Sequence, residues 1–191
     1  MAVVYGFDFM KKNGFIQHYF FSEKNSAGFT LIDLIVSIAI FGVMAASIVV
    51  NFRGGARSDS VRQSANIASV MLRRAQTMTL SGEFLSDGSF PIGGYGIRFD
   101  SSDTNTLILF ADINGNYIYD EGEEINTKNL ADSAYFDAGG DLDVVFSSPD
   151  SDVYFNGLSV DVQKQVTISA VGTEVTQSIY IYRISGQIRV E

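Results

Sequence analysis

An almost uninterrupted apolar stretch from Phe29 to Val50 limits what this chain can be. At about 1.5 Å per residue, a helix of that length can cross the hydrocarbon core of a bilayer, which takes about 20 residues. Asp33 is the one charged residue inside the stretch. Because a carboxylate in a membrane helix costs free energy, it calls for a partner. The stretch therefore predicts one membrane-spanning helix whose acidic residue has a specific role.

The residues around Asp33 form a recognisable motif. The apolar run begins with the sequence Gly28-Phe29-Thr30-Leu31-Ile32-Asp33. This sequence resembles the cleavage and methylation site of type IV prepilins and type II secretion pseudopilins. The resemblance implies that a prepilin peptidase cuts after Gly28 and that the new N-terminal residue, Phe29, is N-methylated. A glutamate normally stands at the position of Asp33, where it pairs with the terminal ammonium of a neighbouring subunit, so Asp33 is expected to act in assembly with a shorter side chain.

The resemblance also divides the chain into segments. They are a leader peptide, a membrane-spanning and assembly helix, an amphipathic continuation and a β-rich globular domain, at residues 1–28, 29–52, 53–81 and 82–191. Met10 is a candidate start of the protein beside Met1. The resemblance implies a single pass through the bacterial inner membrane, with the C-terminal domain outside the cytoplasm, and a periplasmic or cell-surface filament after assembly.

The function that the resemblance implies is structural. The chain would be a minor pseudopilin of a type II secretion pseudopilus or a minor pilin of a type IV pilus. Its expected partners are other pilin or pseudopilin subunits, the prepilin peptidase, the inner-membrane assembly platform and, before assembly, membrane lipid.

The composition argues against an enzyme. The chain has no cysteine, and its one histidine, His18, lies in the expected leader. A mature chain that begins at Phe29 would therefore lack Cys–His and Ser–His nucleophilic pairs and the usual zinc ligands. We expect no enzymatic activity.

A second periodic pattern follows the apolar span. Small and apolar residues recur at alternating spacings of four and three, which is typical of one face of a helix. Ser58 or Asp59 can cap the start of this helix, and Gly82 can end it. We expect the stripe to pack on the domain that follows. Its members are Val61, Ala65, Ala68, Leu72, Ala75 and Thr79.

Beyond Gly82 the apolar residues alternate with polar ones, which predicts strands separated by turns. The predicted strands are Tyr95–Phe99, Thr106–Ala111, Leu142–Phe146, Val153–Phe155, Val166–Val171, Val175–Ile184 and Gln187–Val190. The fold class is therefore α+β, a long N-terminal helix followed by a mostly antiparallel, β-rich globular domain. This organisation resembles that of pilins, in particular H-type minor pseudopilins and FimT-type minor pilins.

One segment of the β-rich domain, from Asp112 to Glu123, carries oxygen side chains at the spacing of a calcium loop. In such a loop, oxygen ligands occupy positions 1, 3, 5, 9 and 12, and position 7 offers its carbonyl. The residues at these six positions are Asp112, Asn114, Asn116, Asp120, Glu123 and, at position 7, Ile118. Position 6, where the sharp turn needs glycine, is Tyr117. Since Asn and Asp also form turns without metal, the segment is either a calcium site or an ordinary turn.

A DNA-binding minor pilin of a competence-type pilus is the alternative function. FimT-type relatives that bind DNA use arginines near the C-terminus, where this chain has Arg183 and Arg189 with Gln187 between them. The chain has a net charge of −9. Because DNA affinity comes largely from phosphate contacts and counterion release, an acidic chain with two such arginines predicts weak DNA binding.

Overall fold

The structure is a computed structural model that describes residues 28–149 and 152–191, and of residues 50–54 it describes only the backbone. The described residues divide into two compact units, with the boundary between Gly42 and Val43. Because the description begins at residue 28, the expected leader lies outside the described residues, apart from Gly28.

A single α-helix, α1, runs from Leu31 to Ser81. Its first part, Leu31–Val49, is the one helical segment among the described residues that is long and apolar enough to cross a membrane. The predicted cap at Ser58 or Asp59 is wrong, because the helix that begins at Leu31 already includes both residues. Amide groups at that point have helical partners and need no cap.

The predicted stripe on the later part of α1 is confirmed. All six residues of the stripe are at most 1% exposed. Burying a valine or leucine side chain stabilises a fold by about 1.5–3 kcal/mol, so Val61 and Leu72 are strong anchors of the helix in its domain. The helix ends at Gly82 as predicted, with a left-handed φ of 64°. The Glu83 N–H donates to the Met78 carbonyl at 3.0 Å, which satisfies one of the carbonyls that a helix end leaves open.

The β-rich domain contains two antiparallel sheets. The five-stranded sheet has the order β3-β2-β1-β5-β6, with β1 Gly94–Phe99, β2 Thr106–Asp112, β3 Glu124–Asn129, β5 Leu142–Phe146 and β6 Val153–Phe155. The four-stranded sheet has the order β4-β7-β8-β9, with β4 Ala134–Asp137, β7 Gln163–Ala170, β8 Gln177–Tyr182 and β9 Ile188–Val190. The α+β fold class is thus confirmed. Strands β3 and β4 were not predicted.

One hydrophobic core joins α1 to both sheets. Between the sheets, the rings of Phe99 and Phe136 meet edge to face with centroids 5.2 Å apart. On the helix, the Thr79 hydroxyl accepts the Tyr95 N–H and lies 3.0 Å from the Phe146 carbonyl. This buried hydroxyl fixes the last turns of α1 to β1 and β5.

Candidate functional site

The first turn of α1 contains the cleavage and assembly residues that the sequence predicts. The Asp33 N–H donates to the Thr30 hydroxyl oxygen at 3.3 Å, and the Thr30 N–H donates to Asp33 Oδ2 at 3.2 Å. This reciprocal arrangement is a capping box, with aspartate where glutamate or glutamine is usual. The Thr30 hydroxyl also donates to Asp33 Oδ2, at 2.6 Å. No donor among the described residues contacts Asp33 Oδ1, so that oxygen is open to a partner.

The predicted cleavage residues precede this turn and are accessible. Phe29 is 86% exposed. A Cβ atom added to Gly28 would meet no heavy atom of the described residues within 4 Å. The structure thus offers no packing reason for glycine at position 28.

The segment from Asp112 to Glu123 connects β2 to β3, and it is organised by the side chain of Asp112. This carboxylate is fully buried. Oδ1 accepts the N–H groups of Gly115 and Asn116 at 2.7 and 3.2 Å. Oδ2 accepts the Tyr117 N–H at 2.8 Å. Tyr117 adopts a left-handed φ of 61° at the position where the sequence lacks a glycine, so the loop makes its sharp turn with tyrosine.

The other candidate calcium ligands are also bonded within the loop. Asp120 Oδ2 accepts the side-chain amides of Asn114 and Asn116 at 2.7 and 2.8 Å. The Ile118 N–H donates to Asn116 Oδ1 at 2.9 Å. The two Glu123 oxygens accept the N–H groups of Ile113 and Asp120, at 2.9 and 3.1 Å.

These bonds bear on the calcium prediction. Within residues 28–149 and 152–191, no group of three or more acidic, histidine or cysteine side chains is placed to hold a metal ion. In this conformation the Asp112 and Glu123 oxygens point at amide hydrogens, so the donor set does not fit Ca²⁺ without rearrangement. Calcium binding stays a prediction to be tested.

The loop covers one face of the five-stranded sheet. Phe110 and Val145 are fully buried, yet they lie outside the core that faces α1. Tyr119 packs edge-on against Phe110 with centroids 5.4 Å apart. Tyr117 stacks on Tyr154 at 3.8 Å with nearly parallel rings. The loop therefore supplies the second apolar cover of this sheet.

A cluster of polar groups around Arg98, which was not predicted from the sequence, holds the loop on the sheet. Arg98 in β1 donates to both oxygens of Asp143 at 3.2 and 3.3 Å, and to Asp141 at 3.2 Å. Its guanidinium carbon lies 5.2 Å from the centroid of the Tyr119 ring, within the range of a cation–π contact. The Tyr119 N–H donates to Asp143 Oδ2 at 3.1 Å. The four groups join β1, β5 and the loop.

The two carboxyl groups in this cluster have opposite pKa shifts. Burial raises the pKa of Asp143 above its usual range, although the Tyr119 N–H and Arg98 act in the other direction. Hydrogen bonds from Ser101 lower the pKa of Asp141.

The two arginines of the DNA alternative lie around the last hairpin of the four-stranded sheet. Arg189 in β9 stands opposite Tyr180 and pairs with Glu191. Arg183 follows β8, and its backbone N–H donates to the Val162 carbonyl at 3.0 Å. Its Nε is buried without a hydrogen-bond partner among the described residues.

Comparison with known proteins identifies one segment. Residues 24–49 match the family model for the prokaryotic N-terminal methylation motif. No curated protein and no solved structure matches the chain. The matched segment includes the predicted cleavage site, the residue expected to be methylated and the capping-box carboxylate.

Proposed function

We propose, from the prepilin-type methylation motif that the chain carries at residues 24–49, that this protein is a structural subunit of a bacterial filament. It would be stored in the inner membrane through Leu31–Val49 and cut after Gly28. Its β-rich domain would remain outside the cytoplasm. Within this class, a minor pseudopilin of a secretion pseudopilus or a minor pilin is the role we favour. The match of residues 24–49 to this motif, which includes the apolar and exposed start of α1, is the observation that carries the proposal.

The geometry of the first turn supports an assembly role for Asp33. Cleavage after Gly28 creates an ammonium group on Phe29, and the capping box keeps the Asp33 carboxylate at this end of the helix. Oδ2 is occupied by Thr30. Oδ1 is free to accept the ammonium of a neighbouring subunit without breaking the cap. A charge-assisted bond of this kind is about twice as strong as a neutral one, and more so in an apolar surrounding.

Processing can be tested with a pair of substitutions at one position. In the native host, N-terminal sequencing of the membrane-extracted protein should begin at Phe29, and mass spectrometry should show one added methyl group. Gly28→Leu should leave the full-length chain uncut, because the peptidase needs a small residue before the cut, whereas Gly28→Ala should still be processed. Since position 28 has free space around it, neither change should disturb the fold. A mature chain with another first residue would refute the proposal.

Assembly can be tested separately at the capping box. Asp33→Ala should be cleaved normally but should give less filament or less co-purified subunit than the wild type. Thr30→Ala removes the cap while the carboxylate stays, so it should reduce assembly less than Asp33→Ala. If Asp33→Ala assembles as well as the wild type, the carboxylate has no role in pairing.

DNA binding by a competence-type pilus is the alternative, in which Arg183 and Arg189 beside the last hairpin would contact phosphates. The purified protein in non-ionic detergent can be tested by gel shift at about 50 and 200 mM salt. Retention of DNA that weakens as salt rises and that is lost in Arg183→Gln would favour the alternative over a purely structural role.

A further inference from the structure

A cavity of about 750 Å³ lies between the later part of α1 and the edge strand β3. We call it the α1–β3 groove. It is an open space where the sheet extends past the helix. Leu107 and Leu109 of β2 are fully buried in the core that α1 shares with the sheets, whereas all six residues of the neighbouring β3 are exposed. On the helix side the groove has an apolar wall of Ile67, Val70 and Met71, and Val70 is 63% exposed.

The strand that borders the groove has a free edge. Among the described strands, β3 pairs with β2 alone, and at six residues it is twice as long as β6 at the other end of the sheet. The Leu130 N–H donates to the Asn105 carbonyl at 2.8 Å. Because successive amides alternate in direction along a strand, this bond implies that Thr127 and Asn129 turn their N–H groups away from β2. Free groups of this kind are a template for another strand.

The charge of the groove differs from that of the whole chain. The chain carries a net charge of −9, but Arg74 reaches the groove from the helix and Lys128 from the strand. Neither cation has an ion pair among the described residues. Asp59, which also lines the groove, lies 3.9 Å from Arg62 in an ion pair. The two unpaired cations therefore make the groove complementary to carboxylates.

We propose that the α1–β3 groove binds an extended, acidic peptide segment of another protein, which adds a strand to the free edge of β3. Alternate side chains of the segment would point into the groove, apolar ones against Val70 and carboxylates toward Arg74 and Lys128. The helix wall from Asp59 to Arg74 is about 22 Å long, which matches about seven residues of extended chain. This inference is independent of the filament function.

The test uses the full chain in a non-ionic detergent and three fluorescent eight-residue probes. The acidic probe alternates valine with glutamate, and the basic probe alternates valine with lysine. The block probe has the composition of the acidic probe, but all its valines precede all its glutamates. Fluorescence anisotropy should show saturable binding of the probe in which valine and glutamate alternate, and of neither of the other two probes. Hydrogen exchange should slow at residues 124–129 when this probe binds. The double variant Arg74→Gln, Lys128→Gln should bind it about tenfold more weakly, since both ion pairs with the carboxylates of the probe are lost.

Lys164→Gln is the matched control, because Lys164 lies in β7 and pairs with Asp161. It should bind the probe as the wild type does. Equal binding of the acidic and basic probes, an unchanged affinity in the double variant, or no binding at about 1 mM would each overturn the proposal. If no probe binds, the role of Lys128 is only to keep other strands from pairing with the free edge of β3. Protection of residues 124–129 that grows with protein concentration, without probe, would identify a second copy as the occupant and would overturn it too.

Discussion

Removal of the Asp112 side chain tests whether the loop between β2 and β3 is a structural element in its own right. In Asp112→Ala the N–H groups of Gly115 and Tyr117 lose their acceptors, which lie at 2.7 and 2.8 Å. The Asn116 N–H loses an acceptor at 3.2 Å but keeps Asn114 Oδ1 at 2.9 Å. Hydrogen bonds to a charged acceptor contribute about 1.5–3 kcal/mol each. The freed amides can bind water in the partly exposed loop, and the cost of burying the carboxylate disappears. Taking about 1 kcal/mol for each of the two unshared bonds and up to as much for the shared one, we expect the free energy of unfolding to fall by about 2–3 kcal/mol.

The assay is urea unfolding of the full chain in non-ionic detergent. The chain has no tryptophan and nine tyrosines, so tyrosine fluorescence reports the transition. With an m value of about 1–3 kcal/mol per molar urea, the midpoint should fall by about 1–3 M. The loss should be the same with about 1 mM calcium and with a chelator.

Asp120→Ala is the matched control. Asp120 is also a candidate calcium ligand, but its carboxylate is exposed and accepts only side-chain amides, so its loss should cost less than about 1 kcal/mol. If Asp112→Ala lowers stability only in calcium, or if the wild type is stabilised by calcium and both variants abolish this effect, the loop is a metal site and our structural reasoning fails. A loss of under about 1 kcal/mol for Asp112→Ala would refute it as well.

Three further predictions use the same unfolding assay. Gly93→Ala should lower stability about as much as Asp112→Ala, because the added carbon would lie 1.7 Å from Asp112 Oδ2; wild-type stability would contradict this. Thr79→Val leaves the buried Tyr95 N–H without its acceptor and should cost about 1–3 kcal/mol, while an unchanged midpoint would argue against the hydroxyl as a link. Burial raises the pKa of Asp143, so the folded state binds a proton there more readily than the unfolded state. As the pH falls from about 7 to about 4, the free energy of unfolding of the wild type should therefore rise relative to that of Asp143→Asn; a flat or falling difference would contradict the burial argument.

The sequence predicted the parts of the fold whose signal is local and periodic. The six positions of the helical stripe are all buried, because a helix must turn one face to the core. Gly82 ends the helix because it adopts a left-handed φ without a steric cost. The last two strands were predicted from the alternation of apolar and polar residues, and they pair in the structure as β8 with β9.

The sequence failed where the signal is weak or where it depends on distant residues. Strand β3, Glu124–Asn129, is exposed at every position, so its sequence has no alternation to reveal it. Strand β4 alternates buried and exposed residues but has only four. The calcium spacing was noticed, but the spacing alone does not show that the Asp112 oxygens accept N–H groups of the loop itself. The Arg98–Asp143 cluster joins residues 45 positions apart, and no short motif records such a contact.

The loop between β2 and β3 has a consequence for how the domain opens. Surface connections usually exchange their amide hydrogens quickly, because they open without the rest of the fold. Here Asp112 and Glu123 hold the loop amides, and Tyr119 covers Phe110. The loop thus covers the apolar residues on the outer face of the five-stranded sheet, as α1 covers those on the inner face. We therefore expect the loop to open only when the whole sheet unfolds, so that its amides exchange as slowly as those of the domain core.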